Sequence, residues 1–263
     1  MKYFLSLFSL ILLLISCKPV ELIPGKEVYL GKPKKIIITS YYGTEKIEES
    51  PSKSVEEFDI RGNLIKSTSV GKSISIREYQ YNEQDRMVKI SFFVNKDSLI
   101  GITNKRYNSE GNIVNESRWW RESKANDVKE FSYYNNGKLK QEISFKQGKL
   151  FYKSFHHYPN RNKEVITSFD PNNTKTSVIT KTRLSRNLIL TLVQAGNGDT
   201  TRRYLSKFDK FGRIISEEDS YPKARISYSS IVRSLDHKNN SIADTVRLSN
   251  GYIHIDHRVI NYW

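Results

Sequence analysis

Few residues in this sequence have the type and spacing to do chemistry. The chain has five histidines, and His254-Ile255-Asp256-His257 is their densest grouping. On a strand His254 and Asp256 share a face while His257 points the other way. A zinc site needs about four convergent ligands, so no metal is expected there. His156, His157 and His237 stand elsewhere with no ligand spacing between them. No Gly-x-Ser-x-Gly elbow, phosphate-binding glycine loop or other catalytic signature occurs. Acidic residues are spread throughout, and none pair as acid and base. No catalytic residue and no cofactor is expected. Trp119-Trp120-Arg121 is the one aromatic cluster with the chemistry to bind a sugar, the alternative being a strand-end aromatic in the core. Neighbouring strand residues face opposite ways, so at most one of Trp119 and Trp120 faces the core.

Cys17 is the only cysteine, and it follows a distinctive leader. Lys2 precedes the apolar run Leu5–Ile15, and the small Ser16 ends it. That is the layout of a secretory signal. A spanning helix needs about 20 apolar residues, so the run is short for an anchor. A lone thiol in an exported chain makes no internal disulfide and needs another explanation. Leu14-Ile15-Ser16-Cys17 resembles the bacterial lipobox. The resemblance implies cleavage after Ser16, diacylglycerol on the Cys17 sulfur and a further acyl chain on the new amino terminus. Two or more chains make stable membrane anchoring, where one gives only reversible binding. The net charge of +15 is scattered along the chain rather than gathered on one element, which with export argues against nucleic acid.

The elements beyond the leader are set by an internal repeat. Phe58-Asp59-Ile60-Arg61-Gly62-Asn63-Leu64 returns as Tyr81-Asn82, as Tyr107-Asn108-Ser109-Glu110-Gly111-Asn112-Ile113, and as Phe208-Asp209-Lys210-Phe211-Gly212-Arg213-Ile214. A shortened copy is Tyr134-Asn135-Asn136-Gly137-Lys138-Leu139, and weaker copies start at Tyr158, Leu184 and Leu235. The spacing stays near 25 residues throughout. In each copy an aromatic ends a strand, and Asp or Asn bonds the backbone two residues on. Gly then takes the left-handed position of a hairpin turn, as expected at Asp59/Gly62, Asn108/Gly111 and Asp209/Gly212. Asn136-Gly137 suits a two-residue hairpin turn. Second turn signals lie midway between the anchors, and the stretches between alternate with period two. The expected fold is all-β: an antiparallel meander of about eight hairpin repeats, some sixteen strands, in a long curved sheet or open barrel. Residues 1–16 read as signal, 17–34 as a lipidated tether and 35–263 as the repeat domain. Glu45–Lys53, containing Pro51, reads as a polar loop.

The motif aromatic-Asp/Asn-x-x-Gly-Arg/Asn-Leu/Ile resembles the tyrosine-aspartate repeat of Rhs-type bacterial proteins, over roughly residues 54–240. Short lipoproteins with such repeats resemble those common in Bacteroidota. The resemblance implies a hairpin-built sheet and not an activity. The expectation is a lipid-anchored envelope protein, at the outer membrane, that binds a protein or glycan without catalysis. A glycan hydrolase and a membrane-embedded barrel are the alternatives. The first would need two carboxylates about 5–9 Å apart in a cleft.

Overall fold

The computed structural model describes residues 29, 31–43, 51–71, 73–95, 97–210, 212–220, 227–248 and 252–263. Ser16 and Cys17, the expected cleavage and lipidation residues, lie outside them. The first half contains β1 (Pro33–Gly43), β2 (Ser52–Phe58), β3 (Leu64–Val70), β4 (Ile74–Tyr81), β5 (Met87–Val94), β6 (Ser98–Tyr107), β7 (Ile113–Trp120), β8 (Ala125–Tyr133) and β9 (Leu139–Lys146). The second contains β10 (Lys149–Asn160), β11 (Lys163–Phe169), β12 (Lys175–Ser185), β13 (Leu188–Ala195), β14 (Thr200–Phe208), β15 (Ile214–Ser220), β16 (Ser227–Leu235), β17 (Ser241–Leu248) and β18 (Ile253–Tyr262). The expected all-β meander is present, with 18 strands rather than sixteen.

One difference is β2. The Glu45–Lys53 loop gives way to a strand at Ser52, because Pro51 lies just before the ladder and not within it. The other difference is closure. Every strand pairs antiparallel with its sequence neighbour, and β1 also pairs antiparallel with β18, from Lys35 against Asn261 to Gly43 against Ile253. The sheet is therefore a barrel, and its first and last strands have no free edge.

The repeat turn builds one end of this barrel. At Asp59 the Gly62 N–H donates to the Asp59 carbonyl and the Asp59 N–H to the Asn63 carbonyl, both at 2.9 Å. The Asp59 carboxylate accepts from the Arg61 and Asn63 N–H groups, also at 2.9 Å. Asn108 accepts from Asn112 N–H at 2.8 Å and Asp209 from Arg213 N–H at 2.9 Å in the same way. The fourth turn residue is left-handed at Gly62, Gly111, Gly137 and Gly212. Asp85, Asn173 and Asn239 hold that conformation in the equivalent slot. Asn136-Gly137 is not a two-residue turn. Tyr134 N–H and carbonyl close the same five-residue turn as Asp59, with Asn136 Oδ1 accepting from Lys138 N–H. The weak copies near Tyr158 and Leu184 carry tighter turns, Arg161-Asn162 and Arg186-Asn187, between paired Asn160/Lys163 and Ser185/Leu188.

Copies interlock through tyrosine. Tyr81 Oη donates to the Leu64 carbonyl (2.9 Å), Tyr107 to Met87 (2.7 Å) and Tyr133 to Ile113 (2.7 Å). Each hydroxyl thus grips the strand start that follows the preceding turn. Tyr133, not Tyr134, is the aromatic equivalent to Tyr107.

Cross-strand partners share a face, and the registers carry one phase consistently around the ring. One phase contains Ile36, Phe58, Thr103, Ser144, Ser154, His156, Phe208, Asp244 and Arg258, all buried. The other has Ile76 and Ser91 as its buried members, and Val232 and Val259 stand 64% and 60% exposed on it. Side chains converge on the inner side of a closed sheet, so the first phase is the concave face. A round ring of this many strands at ordinary spacing and tilt is about 35 Å across, too wide for opposite walls to meet. Among the described residues, no two strands that are not neighbours in the ring approach within 8 Å, Cα to Cα, so opposite walls do not pack on each other.

Candidate functional site

The turn aromatics set which residues line the interior. Counting back in twos from Tyr107 gives Lys105, Thr103 and Gly101; from Tyr133, Phe131, Lys129 and Asp127. From Tyr158 the same count gives His156, Ser154 and Tyr152, and from Phe208, Ser206, Tyr204 and Arg202. The ladders join these into a continuous concave surface. It is dense in paired charge, hydroxyls and tyrosine.

Three networks stand out. In the first, Arg258 and Asp244 pair at 2.7 Å, with side chains only 4% and 8% exposed. Arg233 Nε lies 3.0 Å from Asp244, and Arg258 reaches Asp256 at 3.3 Å. Ser40 donates to Asp256 at 2.5 Å, tying β1 to β18 across the closure. His254 Nε2 lies 2.8 Å from Asp256, stacked on Tyr42. His257 is on the convex face, edge-on to Tyr41. In the second, Glu164 is 2.9 Å from His156 Nδ1 and 3.1 Å from both Tyr158 Oη and Lys181 Nζ. The His156 contact is the strongest influence. With Lys181 it outweighs burial and brings the Glu164 carboxyl down to about 2.

The third network lies on β6–β10. Glu142 hydrogen-bonds Tyr152 Oη and pairs with Lys129 at 2.8 Å. Burial pushes the Glu142 carboxyl up, but these two bonds prevail and hold it below the usual range. Glu116 sits 3.5 Å from both Lys105 and Arg118. A cleft of about 200 Å³ opens here, lined by Glu116, Arg118, Asp127, Lys129, Lys146 and Tyr152 among others.

Trp119 and Trp120 point to opposite faces, as period two requires. Trp120 is concave, 4.9 Å from the Phe92 ring and directly over Gly101. Trp119 is convex, opposite Ile102 and Asn126. They do not form a joint platform. The charged networks were missed by motif reading because their members come from different strands; the aromatic-anchored phase is the signal that finds them.

No family model matches the chain, and no curated protein matches it in sequence. Its structure is similar to that of a porin-like protein from Bacteroides uniformis, with TM-score 0.48 and 12% identity over 89% of this chain and 98% of that one. It is also similar to a protein of unknown function from Bacteroides fragilis, with TM-score 0.27 and 12% identity over 54% of this chain and 85% of that one. The TcdB2-TccC3-Cdc42 structure is similar with TM-score 0.21 and 11% identity, over 77% of this chain and 17% of that one.

Proposed function

We propose that this chain is a lipid-anchored protein of the bacterial envelope whose barrel binds a ligand on its concave face and does no catalysis. The observation that carries the reading is the unequal lining of the two faces. Tyrosines, hydroxyls and ion pairs gather inside, where a bound molecule would be surrounded.

The convex face has an apolar belt on some strands, such as Leu188, Leu190 and Leu192 on β13, which favours a membrane-spanning barrel as the second reading. Its height argues otherwise. On β2 the convex residues are Lys53, Val55 and Glu57. Lys53 and Glu57 stand about 14 Å apart along the strand. A lipid-facing band is about 25 Å tall, and each charge at its midplane costs about 2–4 kcal/mol. On β15 the convex residues are Ser216, Glu218 and Ser220, none apolar. This supports a barrel in water, held by the lipid implied at Cys17. Against catalysis, Glu164 is held low by its bonds to His156 and Lys181 and Glu142 by those to Lys129 and Tyr152, whereas a general acid needs its carboxyl raised.

Fractionating cells that carry Cys17→Ser tests the anchor: the protein should leave the membrane fraction and change mobility. Unchanged partition and mobility would overturn it. Residues 18–263 made without detergent should be monodisperse and β-rich; folding only in detergent or bilayers would establish the spanning barrel instead.

A further inference from the structure

We propose that the concave cleft on β7–β10 binds one unit of a neutral, hydroxyl-rich sugar chain, with Phe151 as the stacking surface and Asp127 as an acceptor for its hydroxyls. The proposal rests on reading the chain as a binding module and names the ligand class of that module.

The first ground is a β-bulge. Leu150 pairs with Phe145 and Tyr152 with Ser144, which leaves Phe151 as the extra residue. A bulge re-aims side chains and breaks the alternation of a strand. Phe151 accordingly joins Tyr152 on the lining of the cleft, their rings 5.9 Å apart. Phe151 stays 55% exposed there, an aromatic presented to the interior and not packed away. Lys146 Nζ sits 5.6 Å from its centroid.

The second ground is an unmet acceptor. Asp127 Oδ1 is buried and has no hydrogen-bond partner. A buried polar atom left unpaired is costly, so a donor that reaches the Asp127 carboxylate is favoured. Asp127 is flanked in the ladder by Arg118 on β7 and Lys146 on β9, both in the cleft wall. The cleft therefore offers an acceptor between two donors beside an aromatic ring.

The third ground is that the cations of the cleft are engaged. Its wall carries the carboxylates of Glu116 and Asp127 and the cations of Arg118, Lys129 and Lys146, and Lys146 lies over the Phe151 ring. Lys129 is committed to Glu142 at 2.8 Å, and Arg118 reaches Glu116 at 3.5 Å. A phosphate or uronate would have to displace those partners. A neutral sugar meets no such cost. Its hydroxyls both donate and accept, and its C–H face lies on an aromatic ring.

The test uses the full chain in mild detergent, with its fold checked by far-ultraviolet dichroism. Titrate maltotriose, cellotriose, xylotriose and triacetylchitotriose, with trigalacturonate and inorganic phosphate as anionic probes, and follow binding by calorimetry. At least one neutral trisaccharide should bind. Phe151→Ala and Asp127→Asn should each weaken it tenfold or more, while Phe155→Ala on the convex face leaves it unchanged. If Phe151→Ala unfolds the chain, Phe151→Leu keeps the bulk, lacks the ring and should show the same loss. The proposal is overturned if no neutral sugar binds, if the anions bind more tightly, or if binding survives both cleft variants. Any of these, with the Cys17-dependent membrane partition intact, would leave the envelope module standing and remove only the sugar site.

Discussion

Glu164 allows the concave networks to be weighed by acid titration. Its carboxyl ordinarily titrates at 4.5 and is held at about 2 by His156, with Lys181 adding to it. A depressed carboxyl stabilises the fold fully above its unfolded value, and that contribution disappears as pH falls through the folded one. The window is thus from about 4.5 down to about 2. The shift is worth about 3 kcal/mol at most. The side chain is 22% exposed, so screening brings this nearer about 1–2 kcal/mol. Glu164→Gln preserves the shape and removes the charge. Urea midpoints of the two chains, measured from pH 7 to pH 3, should differ by that amount at pH 7. Less than half of the difference should survive at pH 3. A gap that stays constant with pH would mean that Glu164 acts by packing alone. No gap at pH 7 would mean that the network contributes nothing.

Three further substitutions and one control probe the repeat itself. Phe208 is 2% exposed, so Phe208→Ala should cost about 3–5 kcal/mol in a denaturant titration, far more than truncation of an exposed convex residue such as Val232. Tyr107→Phe removes only the 2.7 Å bond to the Met87 carbonyl and should cost about 1 kcal/mol, with amide exchange quickening first at Met87 and its neighbours. Gly111 has φ +90, and an added Cβ would lie 2.7 Å from Arg86 Nη2. Gly111→Ala should therefore destabilise by about 1–3 kcal/mol, whereas Gly71→Ala, with nothing within 4 Å, should be nearly neutral in the same thermal melt.

The parts of this fold that were legible are those decided within a few residues. Asp59, Asn108 and Asp209 act on backbone groups two or four positions on, so the turn is written locally. Trp119 and Trp120 were separable for the same reason, since period two needs no partner. Tyr133 and Tyr134 show the limit. Either could anchor the copy, and only the face on which each stands decides, because Tyr133 reaches Ile113 on the neighbouring repeat. Only the start of β2 was hidden: Ser52 and Lys53 read as loop beside Pro51, until they are seen paired with Ser40 and Thr39 on β1. The site was the least legible, because Asp127, Lys146 and Phe151 come from three strands and the decisive feature is a bulge.

Closure is the one global property that no repeat encodes by itself. A meander of hairpins buries each copy against its neighbours and leaves two open edges, which are templates for aggregation. Here the first and last strands supply what the repeats lack. Tyr262 bonds Asp236 and accepts from Asn240 Nδ2, so β18 takes the part that a tyrosine plays between ordinary copies. Trp263 Nε1 donates to the Asp59 carbonyl at 3.0 Å, which carries the same linkage across to the first turn. The lining explains why closure matters to a chain with little packed core. Arg258, Asp244 and Asp256 are desolvated only because β17, β18 and β1 adjoin; opening β1 from β18 would separate Ser40 from Asp256 and wet the network. A buried pair that loses a partner is costly, so the polar interior opposes opening of the seam. The ion pairs that line the concave face thus also hold the ring shut.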